Sequence, residues 1–171
     1  MKLRILLGIG LLAGQLAGCS NHTLYLVRHA EKASQPASDP PLTAEGEVRA
    51  QVLADTLLEK NIKHIYSTNT TRTRATAVPL AEKLGLTIAP YGTDTLWEVA
   101  KHLRKLHGGN ALIVGHSNTL LPLLDQLPVT HRKKTIPDSD YDNLFVVTVR
   151  KRFLRPPLIR LQEGTFGEIA E

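Results

Sequence analysis

Short apolar runs alternate with amphipathic stretches from residue 23 to residue 126, and this alternation is the strongest constraint on the fold. The runs have the length of buried strands, and the stretches between them repeat their apolar residues at helical spacing. The predicted strands are 23–27, 63–67, 86–91 and 111–114, and the predicted helices are about 43–60, 71–84, 95–107 and 118–126. Such alternation favours a parallel sheet with helices on both faces. Two later runs, 143–149 and 157–161, are predicted to be antiparallel strands at one edge. We therefore expect an α/β fold, a three-layer α/β/α sandwich with a mainly parallel sheet and an antiparallel edge strand.

Composition agrees with one globular domain. The chain has 171 residues, of which 42% are hydrophobic and 22% charged, as in ordinary soluble proteins. Its single cysteine excludes an intramolecular disulfide and a cysteine-rich zinc site. No basic stripe interleaved with aromatic residues is present, so nucleic acid is not an expected partner. We also expect no metal and no cofactor.

The first nineteen residues have the pattern of a targeting segment. Lys2 and Arg4 precede an apolar run, 5–16, which is short of the roughly 20 residues that span a membrane. The run leads into Leu16-Ala17-Gly18-Cys19, which resembles the lipobox of bacterial lipoprotein signal peptides. The resemblance implies a signal peptide over 1–18, acylation of Cys19, and one domain over 19–171 held by lipid in the bacterial envelope. The periplasmic face of the outer membrane is the expected location. An ordinary cleaved signal or a short uncleaved anchor is the alternative, and either places the domain outside the cytoplasm.

Loss of that segment changes the charge of the protein. The formal net charge of the whole chain is +5, from 21 basic and 16 acidic residues. Without Lys2 and Arg4, 19 basic residues face 16 acidic ones, and the formal charge falls to +3. The net charge therefore says little about function, and the positions of individual basic residues say more.

Basic side chains follow three of the predicted parallel strands. Arg28 and His29 come directly after the first strand, Arg72 follows the second, and His116 follows the fourth. Ligands of parallel sheets bind beyond the carboxyl ends of the strands, so we expect these side chains to converge there. Two arginine forks suit phosphate oxygens, and a helix that starts at Asn118 adds backbone donors. Because histidine serves as a nucleophile or as an acid–base group, the pattern favours phosphoryl transfer to a ring nitrogen.

Four motifs follow one another in a specific order. They are Arg28-His29-Ala30-Glu31, Leu42-Thr43-x-x-Gly46, Tyr66-Ser67-Thr68 through Arg72 to Thr76-Ala77, and Val114-Gly115-His116-Ser117-Asn118. This set resembles the histidine phosphatase superfamily, which includes the cofactor-dependent phosphoglycerate mutases. The resemblance implies that His29 becomes phosphohistidine, that Arg28, Arg72 and His116 hold the phosphoryl oxygens, and that no metal is required.

The acid that protonates the leaving group is less well marked. The family places it after the third strand, where this chain has Asp94 and Glu98. Glu98 lies three residues after Thr95, which is the spacing of a capping box, whereas Asp94 has the position of an ordinary helix cap. We favour Asp94 slightly; Glu98, or no dedicated acid, are the alternatives. The Glu-Arg-x-Tyr-Gly block of the glycolytic mutases is missing, so mutase activity is not expected.

These observations predict a lipid-anchored, monomeric phosphatase that acts on a phosphorylated small molecule or an envelope glycan. The alternatives are a protein phosphohistidine phosphatase and a phosphate-binding lipoprotein without catalysis. Glu31 is expected either to orient the pocket or to be solvated or salt-bridged. The basic run 131–134 is expected to be a solvated loop, or else to face acidic headgroups or an anionic substrate. The remaining histidines are expected on the surface or in loops: His22, His64, His102, His107 and His131.

Overall fold

A six-stranded mixed sheet forms the centre of the protein in the computed structural model, which describes residues 21–168. The strands are β1 (His22–Arg28), β2 (Ile62–Ser67), β3 (Ile88–Pro90), β4 (Asn110–Gly115), β5 (Asn143–Arg152) and β6 (Arg155–Thr165). The helices are α1 (Ala44–Leu57), α2 (Thr71–Leu84), α3 (Leu96–Leu103) and α4 (Ser117–Asp125). The strand order is β3-β2-β4-β1-β5-β6, with β1 to β4 parallel. The antiparallel pair is confirmed at one edge, because β5 runs against β1 and the outermost strand, β6, runs against β5. The predicted lipobox, with Cys19, lies outside the described residues.

Two hydrophobic cores, one on each face of the sheet, produce the three layers. Neighbouring residues of a strand point to opposite faces, so Leu26 and Val27 of β1 belong to different cores. Val27 packs with residues of α1 and α2, and Leu26 packs with residues of α3 and α4. A fully buried leucine or valine of this kind contributes about 1.5–3 kcal/mol to folding. The expected α/β/α sandwich is confirmed.

The third strand and the third helix are shorter in the structure than predicted. The third strand begins at Ile88 rather than at residue 86, because α2 ends at Gly85 in a left-handed conformation (φ 63°). Leu86 then donates its backbone N–H to the Ala81 carbonyl, which closes the helix end. Helix α3 ends at Leu103, before the predicted stop at Gly108. Within residues 21–168, no helix combines the length and the apolar character that a membrane span requires.

Candidate active site

The carboxyl ends of β1 and β4 bring His29 and His116 together. The two strands are parallel neighbours, with Arg28 beside Gly115, so the residue that follows each strand emerges at the same edge. The His29 backbone N–H donates to the Gly115 carbonyl at 2.9 Å. The two imidazole rings meet edge to face, with their centroids 5.4 Å apart. The strand-end position of each histidine is therefore enough to place the two rings in contact.

A single hydrogen bond sets the tautomer of His29. Its Nδ1 lies 2.7 Å from the Ala30 carbonyl oxygen, which accepts and cannot donate, so Nδ1 carries the proton. The lone pair of a neutral ring is then on Nε2. The Ala30 N–H in turn donates to Thr76 Oγ1 at 2.9 Å, and Thr76 Oγ1 donates to the Arg72 carbonyl at 2.8 Å. Helix α2 thus holds the segment that orients His29, which gives the Thr76-Ala77 motif a structural reason.

Both histidines are neutral at physiological pH. Burial lowers the pKa of His29 from 6.5 to about 3, and the charges of Arg28, His116 and Arg72 act in the same direction, against the backbone hydrogen bond to Ala30. Burial lowers the pKa of His116 to about 4; the two arginines add to this effect and a nearby carboxylate opposes it. A neutral, buried imidazole with a free Nε2 lone pair has the state that nucleophilic attack requires.

Arg28 is fixed by a loop far from it in sequence. Its side chain is 1% exposed, and Nη1 donates to the carbonyls of Pro137, Asp138 and Asp140 at 2.7, 3.1 and 3.2 Å. The guanidinium carbon lies 4.4 Å from the centroid of the Tyr141 ring, a cation–π contact. Nε is buried, and no described residue accepts its hydrogen bond. Nη2 also lies 3.3 Å from Asp138 Oδ1, but that carboxylate is 91% exposed, so solvent weakens the pairing and Arg28 still adds positive charge beside His29.

Arg72 is paired with a carboxylate that sequence reasoning missed. Arg72 Nη1 lies 3.4 Å from Asp39 Oδ1. Asp39 also accepts from the Thr71 backbone N–H at 3.0 Å and from the Thr71 hydroxyl at 2.6 Å, and so caps the start of α2. These hydrogen bonds, followed by the charges of Arg72 and His116, hold the pKa of Asp39 below its usual value. No local signal marks Asp39, because it lies in a proline-rich loop 32 residues before Thr71.

Beside the histidine pair is an open cavity of about 500 Å³. Among the predicted site residues, Arg72, Asp94, His116 and Asn118 line it. Arg28, His29 and Glu98 are not among its lining residues; His29 adjoins the cavity through its ring contact with His116. The Thr95 side chain makes no capping hydrogen bond, so the capping box predicted for Glu98 is wrong. Of the two candidate acids, only Asp94 shares a cavity with Arg72 and His116.

Two glycines of the motifs are required by close contacts. A Cβ on Gly46 would lie 2.2 Å from the Glu31 carbonyl oxygen, so α1 approaches the segment after His29 only with glycine at this position. A Cβ on Gly115 would lie 2.5 Å from the Tyr91 hydroxyl oxygen. Glu31 itself accepts from Arg49 Nε at 2.7 Å, so of its two predicted roles the structure shows the salt bridge.

Two of the histidines expected on the surface or in loops are buried. His22 begins β1 with 2% of its surface exposed, and its Nε2 lies 2.8 Å from the Leu103 carbonyl oxygen. His131 is 9% exposed and lies 2.9 Å from an Asp125 carboxylate oxygen. The expectation is wrong for His22, which lies in β1; His131 does lie in a loop, but it is buried there against Asp125 of α4. Lys133 in the same basic run pairs with Asp140, so that loop is only partly solvated.

Comparison with known proteins agrees with this geometry. Residues 24–100 match the sequence model of the histidine phosphatase superfamily (branch 1). The chain carries the sequence signature and the fold of the histidine phosphatase superfamily. Among residues 21–168, no cluster of three or more histidine, cysteine, aspartate or glutamate side chains is arranged to hold a metal ion.

Similarity to individual members of the superfamily is partial in sequence and extensive in fold. A probable phosphoglycerate mutase GpmB from Escherichia coli O1:K1 is 44% identical over 71 residues, which are 38% of this chain and 33% of that protein. The match thus spans about a third of the relative's length. The protein histidine phosphatase SixA in complex with tungstate superposes with a TM-score of 0.63 at 17% identity, over 84% of this chain and 96% of that one. A mycobacterial glucosyl-3-phosphoglycerate phosphatase gives 0.56 at 13% identity, over 85% and 98%. At such identities the two structures establish the fold alone.

Proposed function

We propose that this protein is a phosphatase that hydrolyses phosphomonoesters through a phosphohistidine intermediate at His29. The observation that carries the proposal is the 2.7 Å hydrogen bond from His29 Nδ1 to the Ala30 carbonyl oxygen. It leaves the Nε2 lone pair for attack, at a strand end where His116 and two arginines surround the site. The superfamily contains phosphatases and mutases, and phosphatase action is the finer step proposed here.

The reaction balances in two displacements at phosphorus. In the first, the Nε2 lone pair of His29 forms a bond to phosphorus while the bond from phosphorus to the ester oxygen breaks, and the leaving alkoxide takes up a proton. In the second, water attacks the phosphohistidine and gives a proton back to the acid that had protonated the alkoxide, the bond between nitrogen and phosphorus breaks, and inorganic phosphate is released with His29 again neutral. Arg28, Arg72 and His116 stabilise the charge on the phosphoryl oxygens, and backbone donors at Asn118, near the start of α4, add to them.

Asp94 is the proposed proton donor to the leaving group. It lines the same cavity as Arg72 and His116, and Asp39, the other carboxylate near these two residues, is held ionised by its hydrogen bonds and by Arg72. An acid accelerates departure of a poor leaving group far more than departure of a good one. We therefore expect Asp94→Asn to reduce kcat/KM for an alkyl phosphate by about 100-fold, and for p-nitrophenyl phosphate by less than about threefold. Glu98→Gln, outside the cavity, is the matched control, and equal losses for both substrates would contradict the role of Asp94.

Trapping the intermediate tests the proposed reaction directly. The protein is incubated with a radiolabelled phosphomonoester, quenched, and analysed for a covalent adduct that is labile in acid and stable in base. The adduct is expected in the parent protein and in His102→Ala, which changes an exposed histidine on α3. It is expected to be absent in His29→Ala, whose turnover falls by at least about 10⁴-fold. Phosphate binding without an adduct in the parent protein would instead favour the phosphate-binding lipoprotein.

A protein phosphohistidine phosphatase is the second candidate. It is favoured by the short segment between β3 and α3, which is limited to residues 91–95 and inserts no domain over the cavity. The structure of the protein histidine phosphatase SixA shares the fold. A phosphorylated histidine on a protein surface would fit such an open site. Comparison of kcat/KM for a phosphohistidine protein with kcat/KM for small phosphomonoesters decides between the two substrates.

Attachment to the bacterial envelope through Cys19 is part of the proposal. Its support is the lipobox Leu16-Ala17-Gly18-Cys19 and the basic and apolar segment before it. Several acyl chains, at about 0.8 kcal/mol per buried methylene, hold a protein durably on a membrane. Metabolic labelling with a fatty acid is expected for the parent chain and not for Cys19→Ser. Label that persists in Cys19→Ser would disprove lipidation at this residue.

A further inference from the structure

The end of the molecule opposite the candidate active site carries a cluster of six cations, called here the basic end. They surround an open cavity of about 380 Å³ whose lining includes no carboxylate. The six are Lys101, Arg104, Lys105, Lys151, Arg152 and Arg155. None of them lies within 4.0 Å of a carboxylate oxygen of the described residues 21–168. Because like charges repel, such a cluster needs an external anion or solvent to balance it.

An apolar tip projects beside these charges. The turn between β5 and β6 consists of Phe153 and Leu154, which are 82% and 89% exposed. Leu154 also has a positive φ of 54°, a conformation that is uncommon for a branched side chain. Arg152 and Arg155 flank the turn and face each other across the hairpin. The hairpin tip thus combines two large apolar side chains with neighbouring cations. A membrane surface offers the complementary chemistry, since anionic headgroups lie above an apolar interior.

The N-terminal segment enters the domain at this same end. His22, the first residue of β1, pairs with Val149 of β5 and contacts the Leu103 carbonyl at the end of α3. The apolar run 5–16 and Cys19 precede His22 by only a few residues. Any attachment of that segment to a membrane therefore brings the basic end, rather than the active-site end, next to the lipid.

We infer that the basic end docks on an anionic lipid surface, with Phe153 and Leu154 entering the headgroup layer. A soluble polyanion would use the cations but would leave the apolar tip without a partner, so the observations favour lipid. Strand β1 has seven residues and rises about 3.3 Å per residue, so docking holds His29 about 20 Å or more from the surface. The substrate then reaches the site from the aqueous side.

Fluorescence of the tip tests the docking separately from the N-terminal attachment. The full-length chain, with Trp97→Phe and Phe153→Trp, is reconstituted in phosphatidylcholine vesicles with or without phosphatidylglycerol. A blue shift of the tryptophan emission and quenching by brominated lipid are expected only with the anionic lipid. Each lysine or arginine near such a surface favours docking by about fivefold, so Lys105→Glu with Arg155→Glu should reduce the docked-to-undocked ratio at least tenfold.

Arg132→Glu with Lys134→Glu is the matched control. It makes the same change in net charge on another basic segment, the run 131–134. It should leave the tip signal unchanged. Equal signals in both kinds of vesicle, or equal loss in the two double variants, would overturn the proposal. Thermal unfolding of each variant separates loss of docking from loss of the fold. Displacement of the protein by soluble polyphosphate without any tip quenching would assign the basic end to a soluble polyanion instead, and would also overturn it.

Discussion

At the active-site end of the sheet each arginine has defined partners, whereas at the basic end six cations share one open cavity without a carboxylate. Arg28 is held by three backbone carbonyls and the Asp138 carboxylate, and Arg72 by Asp39. Fixed partners remove rotational freedom and aim the donors at one position, as transition-state stabilisation requires. At the basic end Lys151 contacts Leu106 and His107, and Arg152 donates to the Pro156 carbonyl, but no carboxylate of the described residues pairs with any of the six cations. Such exposed cations provide a positive field with little fixed geometry, which suits a surface of many mobile headgroups. The same residue types thus serve two purposes, according to what holds them.

The largest difference between the two ends should appear in catalysis. Arg72→Ala removes a positioned donor, and we expect kcat/KM to fall by about 100- to 1,000-fold. Arg150→Ala, an exposed arginine on β5 near the opposite end, should change it by less than about twofold. Steady-state kinetics with p-nitrophenyl phosphate measure both. Similar losses in the two variants would remove the distinction between the ends.

Acid should destabilise the protein through the active-site end. The pKa of His29 falls from 6.5 to about 3 on folding, so the unfolded chain binds the extra proton and stability is lost as the pH falls below about 6.5. At about pH 4.5 the loss from His29 is about 2–3 kcal/mol. Urea unfolding near pH 7 and near pH 4.5 should show that His29→Gln reduces the difference by about this amount. An unchanged difference would mean that His29 is not buried in its neutral form.

Salt should separate the two ends as well. Raising ionic strength from about 0.05 M to about 0.5 M shortens the screening length to about 4 Å, which weakens exposed charges most. We expect docking on anionic vesicles to weaken at least about tenfold, while kcat at saturating substrate changes by less than about twofold. Quenching of the tip tryptophan by brominated lipid and initial rates in the same buffers provide the comparison. Docking that resists salt would indicate that the apolar tip, and not the cations, dominates binding.

The smallest expected effect concerns the partner of Arg72. Asn at position 39 retains an oxygen that accepts from the Thr71 N–H but loses the charge that pairs with Arg72. Because Asp39 is about two-fifths exposed, we expect Asp39→Asn to change kcat/KM only about two- to fivefold, mainly through KM. Asp39→Ala, which also removes the cap of α2, should in addition lower the midpoint of thermal unfolding. Identical behaviour of the two variants would show that the charge of Asp39 does not act on the site.

Local patterns predicted the parts of the site that lie at strand ends. His29 and His116 were identifiable because each follows an apolar run, and parallel strands deliver their last residues to one edge. Asp39 and Tyr141 were not, because their contacts with Arg72 and Arg28 join segments that are 33 and 113 residues apart. The burial of His22 and His131 was not identifiable for the same reason, since their hydrogen-bond partners lie in other elements.

The sequence by itself determined the α/β layering, the order of the motifs and the residues that end β1 and β4, because periodicity and strand ends are local properties. Only the tertiary structure decided which nitrogen of His29 is available, which loop orients Arg28, and that Asp94 rather than Glu98 shares the cavity. It alone also brought the end of α3 and the β5–β6 hairpin together into the basic end. These features depend on hydrogen bonds and packing between segments that are distant in sequence. Such contacts form only when folding brings the segments together, and they produce no periodic pattern in the sequence.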